Sequence, residues 1–302
     1  MSETSFSILK KIIFIPSIIC TLGVIIMILS YKIKRSPQHL NLLFLSLNDL
    51  IYYISILLPF NDDEIISNVC LTQGLLTNFT KQGSIIWYFI ISYTCLINTL
   101  NSKYYLQNKV KFTIIFLLCS LLIPFIYCLY LYFFDLIGND IYYCNIFLKS
   151  ELMKFYIMKN QSYILFFEIF EYFLNLFCYK KCSKYILNIE KNTKKKNNEH
   201  NKNNKLLIKI PFIYLIISPI GILNTFFRIY SYLQINFLLE YLNLFSEGFK
   251  GIFIFIIFSL KIHFSKVKKN IKKTKLRKKK KYFPDKKENS LLEPLFLLKD
   301  EN

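Results

Sequence analysis

Eight ionisable side chains, Asp49, Lys81, Glu168, Glu171, Arg228, Glu240, Glu247 and Lys250, fall inside stretches otherwise built from Ile, Leu, Phe and Tyr. A charge at the centre of an apolar helix in a membrane costs roughly 3 kcal/mol or more, so such residues turn inward and meet a partner or a polar ligand. Gln73, Thr77, Lys81, Ser84 and Tyr88 recur at helical spacing, with Thr80 and Trp87 beside them, and make one polar and aromatic stripe. Lys81 at mid-stripe and Arg228 in a later block would give a pocket a positive wall suited to a small anionic ligand. Lys81 could equally snorkel to the membrane interface. Asp49, Glu247 and Lys250 are the remaining interior groups of interest. They could act as a polar switch or simply pair with one another as helix glue.

Other chemistries lack their residues. The three histidines, His39, His200 and His263, lie in loops or at block edges, where they cannot join carboxylates in a buried zinc site. The eight cysteines contain no CxxC pair. Cys178 and Cys182 are four apart, with no second pair or histidine to complete a metal site. No nucleophile–base constellation and no glycine-rich phosphate loop occurs. The sequence therefore predicts no catalytic residues, no metal and no cofactor. A net charge of +20 could suit nucleic acid. Its distribution points to anionic inner-leaflet lipid instead, because the Lys and Arg lie between and after apolar blocks.

Those blocks are the elements that must position the polar groups. A spanning helix needs about 20 apolar residues to cross a hydrocarbon core ~30 Å thick. Seven blocks qualify, at residues 12–31, 40–60, 71–100, 112–134, 162–179, 206–232 and 237–260. The first is too long for a signal peptide and lacks a cleavage site. Several blocks carry proline, which a membrane bundle tolerates because neighbouring helices satisfy the freed carbonyls. Counting seven spans, with the first connection cytoplasmic, puts 31 of the 39 Lys and Arg on the cytoplasmic side. The expected fold is an all-α, seven-transmembrane helix bundle with its N-terminus outside and its C-terminus cytoplasmic. A short outer N-terminus (residues 1–11), a basic third cytoplasmic loop (180–205) and a basic, largely disordered tail (261–302) complete the chain. The low-complexity Lys-Asn-Glu run at 188–204 cannot bury enough apolar surface to fold alone.

Several segments together resemble seven-helix G-protein-coupled receptors, closest to the slime-mould cyclic AMP receptor-like group and its protist relatives. Cys70-Leu-Thr-Gln73-Gly74, followed by Ser84-Ile-Ile-Trp87, is similar to the family's third helix. Leu47-Asn48-Asp49-Leu50 is similar to its Ser-Asp-Leu element, and Tyr143-Cys144-Asn145-Ile146 to a reduced Trp-Cys-Trp-Ile element. Ser218-Pro219 with Asn224 and Arg228 resembles the sixth-helix pattern, and Ser246-Glu247-Gly248-Phe249 the seventh. The chain departs from the pattern at Lys250 and Gly251, where the family has Phe and Asn. It also lacks the Asp-Arg-Tyr and Asn-Pro-x-x-Tyr elements of rhodopsin-like receptors.

The resemblance implies a disulfide from Cys70 to Cys144 and a role for Asn224 in the interior polar set. It also implies signalling from an extracellular small ligand to a heterotrimeric G protein at the plasma membrane. Two alternatives stand beside it. One is a small transporter or accessory membrane protein using the charged interior, although no inverted repeat is visible. The other is a retinal-type photoreceptor, since Lys250 lies mid-way along the last block.

Overall fold

In the computed structural model the described residues are 3–30, 37–58, 68–100, 102–134, 136–139, 144–146, 151–192, 209–230, 239 and 241–260. Residues 1–258 form one compact unit, and 259–302 a second of which only Ser259 and Leu260 are described. The helices are α1 (Glu3–Ser30), α2 (Pro37–Leu57), α3 (Asn68–Leu100), the short α4 (Ser102–Gln107), α5 (Lys109–Phe133), α6 (Glu151–Asn192), α7 (Lys209–Tyr230) and α8 (Tyr241–Leu260). Seven long helices thus make an all-α bundle. Six of them are long and apolar enough to cross a membrane, so the chain is a multi-pass membrane protein. The other, α6, exceeds the required length, and part of its apolar block at 162–179 lies outside the described side chains.

Helix bounds differ from the expected blocks where polar residues extend an apolar core. α1 starts at Glu3, so most of the expected outer N-terminus is helical. α6 runs on to Asn192, so the first part of the expected third loop belongs to a helix. Extending an existing helix fixes one residue per hydrogen bond gained, and Lys, Leu and Glu are good helix formers. In this extension Cys182 and Ile186 turn inward, and Thr99 Oγ1 donates to Cys182 Sγ at 3.7 Å. The rest of that loop and the basic tail lie outside the described residues.

α3 is the axis of the bundle. Two thirds (67%) of its most apolar window is buried, against 22% for α5. α5 turns inward only through Ser120, Pro124, Cys128 and Leu131, one stripe at helical spacing. Many of its other large side chains, among them Ile126 and Phe133, are exposed. Exposed apolar faces of this kind suit lipid and would be a liability in water.

At the N-terminal end of α3 sits a two-stranded antiparallel hairpin, β1 (Ile137–Asn139) with β2 (Cys144–Ile146), pairing Ile137 with Ile146 and Asn139 with Cys144. Cys70 and Cys144 are disulfide-bonded, with Cα atoms 5.1 Å apart. Ile137 joins Leu131 and Leu136 in a small core against Leu71 and Leu75 of α3. A side chain at Gly74 would collide with Ile137, so the glycine lets the hairpin reach the helix. The disulfide marks one end of the bundle, and depths below are given from it.

Candidate functional site

Between α2, α3, α6, α7 and α8 lies a small cleft with an open mouth. Lys81 and Ser84 of α3, Glu168 of α6, Ser218 of α7, and Glu247 and Lys250 of α8 line it together with Tyr52 and Tyr214. Lys81 lies eleven residues along α3 from Cys70, about 16 Å at helical rise, so the cleft sits well inside the bundle.

The charges in this cleft are paired. Lys81 Nζ lies 3.3 Å from Glu168 Oε1, and Glu168 Oε2 accepts a 3.3 Å hydrogen bond from Thr225 Oγ1 of α7. Glu168 thereby links α3, α6 and α7. Lys250 pairs with Glu247 one turn away on α8, and its ammonium lies 6.0 Å from the Tyr88 ring centroid. Tyr88 in turn stacks on Tyr214 at 4.9 Å. The Lys81 side chain is 31% exposed, whereas those of Glu168, Glu247 and Lys250 are 5%, 12% and 8% exposed. Anything entering therefore meets the Lys81–Glu168 pair at its lysine.

Beside the cleft, Asn48 and Asp49 of α2 grip α3. Asn48 Nδ2 donates to Thr80 O at 2.6 Å and to Ser84 Oγ at 2.7 Å, and Ser84 Oγ donates to Asp49 Oδ1 at 2.5 Å. Gly83 makes room, since a Cβ there would lie 2.8 Å from Asn48 Oδ1. Asp49 Oδ2 and Tyr88 Oη have no hydrogen-bond partner among the described residues.

A second grip acts on α8. Tyr53 Oη donates to Glu247 O at 3.3 Å and accepts from Gly251 N–H at 3.1 Å. Those two groups are an i, i+4 pair, so the tyrosine enters the hydrogen-bond ladder of the helix. Ser17 Oγ of α1 reaches Gly248 O, and Gly251 packs so closely that a Cβ would lie 2.7 Å from Thr21 Oγ1. The turn of α8 that carries Glu247 and Lys250 is thus held from outside by α1 and α2.

The expected α3 stripe divides. Lys81 and Ser84 face the cleft, with Tyr88 buried near Lys250. Gln73 does not reach the cleft. Its Nε2 donates to Ser55 O at 3.0 Å and its Oε1 accepts from Cys144 N–H at 3.1 Å, which clamps the hairpin to α2. Thr77 bonds Ser55 Oγ at 3.0 Å. Farther along α3, Ser92 Oγ donates to Asn175 Oδ1 of α6 at 2.6 Å, and Thr94 Oγ1 accepts from Asn41 Nδ2 of α2 at 3.2 Å. Much of the stripe is therefore interhelical hydrogen bonding, as is common between membrane helices.

Arg228 falls in α7 with its side chain outside the described set, and Glu240 is outside altogether. Asn224 is buried in α7. Asn78, the first residue of an Asn-Phe-Thr sequon, is buried and donates to Gly74 O at 2.8 Å. Glu171, also buried, adds a carboxylate one turn from Glu168. Among the described residues no three His, Cys, Asp or Glu side chains are grouped to hold a metal ion.

Sequence reasoning missed Asn48, Tyr53 and Gly83. Asn48 and Gly83 had a readable signal, each lying beside a residue already singled out. Comparison with known protein families and with curated proteins finds no match to the chain.

Proposed function

We propose that this chain is a cell-surface receptor of the G-protein-coupled type, sensing a small extracellular ligand and signalling to a heterotrimeric G protein. The observation that carries this reading is the cleft, in which ionisable side chains of α3, α6 and α8 meet deep in a membrane bundle. A ligand that re-pairs Lys81 or Glu168 changes the contact by which α3 holds α6 and α7. Differential affinity for two such arrangements is what a ligand needs to shift a population.

Three further features support it. The hairpin is tied by the disulfide to the N-terminal end of α3, as the resemblance to the receptor family implies, and that end is read as the outer one. At the far end, α6 presents exposed Lys180, Lys181 and Lys184 beyond its apolar block, a basic surface suited to a G protein and to anionic inner-leaflet lipid. The loop charges place the N-terminus outside, in agreement with both.

The sequence alone favours an anionic ligand because of Lys81 and Arg228. With Lys81 on Glu168, a free anion has to break that pair and leave a carboxylate without its counter-charge, which is unfavourable.

The test is G-protein dissociation in cells expressing the full chain, challenged with pools of small polar metabolites, cyclic nucleotides included. Lys81→Ala and Arg228→Ala variants run alongside at matched surface expression. The expected result is a ligand-dependent response that Lys81→Ala abolishes. No response to any pool, together with solute flux in vesicles containing the protein, would replace the receptor by a transporter.

A further inference from the structure

We infer that the cleft takes a zwitterion of α-amino-acid type, held by the Lys81–Glu168 pair. The inference rests on the receptor reading for its biological use, but its test needs no G protein.

The described charges weigh against the simpler ligands. Lys81, Glu168, Glu247 and Lys250 sum to zero in the cleft, and the buried carboxyls nearby, Asp49 and Glu171, can add only negative charge. An anion that captured Lys81 would strand Glu168, which is 5% exposed and among the described residues has only the Thr225 hydroxyl besides. A cation that captured Glu168 would release the Lys81 ammonium beside its own charge. Capturing one member of the pair leaves the other without its counter-charge, so either ligand starts at a deficit.

A zwitterion exchanges partners on both sides at once. Its carboxylate accepts from Lys81, its ammonium donates to Glu168, and the charge balance of the cleft is unchanged. Lys81 is suited to the exchange, because its side chain is the most exposed of the four and its stem is flexible. The deeper Glu247–Lys250 pair stays intact.

The experiment is a thermal-shift titration of the purified full chain in lipid nanodiscs. The probes are the twenty L-α-amino acids, each beside its N-acetyl acid and its amide, which remove one charge at a time. At about 100-fold over its Kd, a true ligand should raise Tm by several degrees, on the order of 5 °C. One or more unmodified amino acids should do so, and both of its derivatives should bind at least about tenfold more weakly, as expected for losing a charged hydrogen bond. Lys81→Arg should retain binding, and Glu168→Gln should lose it. The resting Tm of each variant shows whether it has folded.

Binding of an N-acetyl acid or an amide as tightly as the parent would overturn the inference. So would no shift with any unmodified amino acid in folded protein. An amino acid that binds without any G-protein response would keep the zwitterion site and remove the receptor reading. A G-protein response to anions alone would do the opposite.

Discussion

Replacing Lys250 by methionine tests whether the interior charges are a balanced set. Lys250 is buried and pairs with Glu247, whose own side chain is 12% exposed, with buried Asp49 in electrostatic reach. Methionine keeps the length of the side chain and removes the charge, leaving the Glu247 carboxylate alone in a low-dielectric interior. Removing one member of such a pair costs about 3–5 kcal/mol. For a chain of this size that is a fall in Tm on the order of 10 °C. Lys81→Met is the control. Its pair is solvent-screened on the lysine side, at 31% exposure, and the loss should be about 1 kcal/mol. The double variant Lys250→Met with Glu247→Gln removes both charges and should regain most of the single variant's loss. The assay is thermal unfolding of purified protein in nanodiscs, compared within the series. If Lys250→Met falls no further than Lys81→Met, or the double variant is as unstable as the single, the pair does not balance the interior and the argument fails.

The other predictions concern the grips around the cleft. Gly251→Ala puts a Cβ 2.7 Å from Thr21 Oγ1 and 3.2 Å from Tyr53 Cε2, and should cost about 1–3 kcal/mol in the same assay. Tyr53→Phe should cost less than about 1 kcal/mol, because the freed Glu247 carbonyl and Gly251 N–H are helical partners and can bond each other. Amide exchange at Gly251 should then slow, and faster exchange with a large fall in Tm would contradict this. The Cys70–Cys144 bond closes a loop with a sequence separation of 74 residues, worth at most about 4.5 kcal/mol on the chain-entropy account. Reducing agent should lower the Tm of the natural chain and leave a Cys70→Ser, Cys144→Ser variant unchanged. An equal effect on both would show that the bond does not stabilise the fold.

The spans were legible because lipid imposes one rule on every segment, namely length without charge, and that rule needs no knowledge of neighbours. Where a helix leaves the apolar layer the rule is silent, so the polar extension of α1 to Glu3 and of α6 to Asn192 could not be read. The α3 stripe shows a different limit. Gln73, Thr77 and Ser84 share a polar character that marks them as facing something, but a hydroxyl or amide bonds a helix carbonyl as readily as a ligand. Which of the two it meets is settled by α2 and the hairpin, distant in sequence, and here Gln73 and Thr77 went to the protein and Ser84 to both.

The ion pairs divide along the same line. Glu247 and Lys250 sit at i, i+3, so their pairing was written in the spacing. Lys81 and Glu168 are brought together only by the crossing of α3 and α6. That second contact reverses the chemistry read from Lys81. Taken alone it is a positive wall for an anion, but against Glu168 it is half of a dipole. What the cleft selects is therefore decided by the pairing that no stretch of sequence contains.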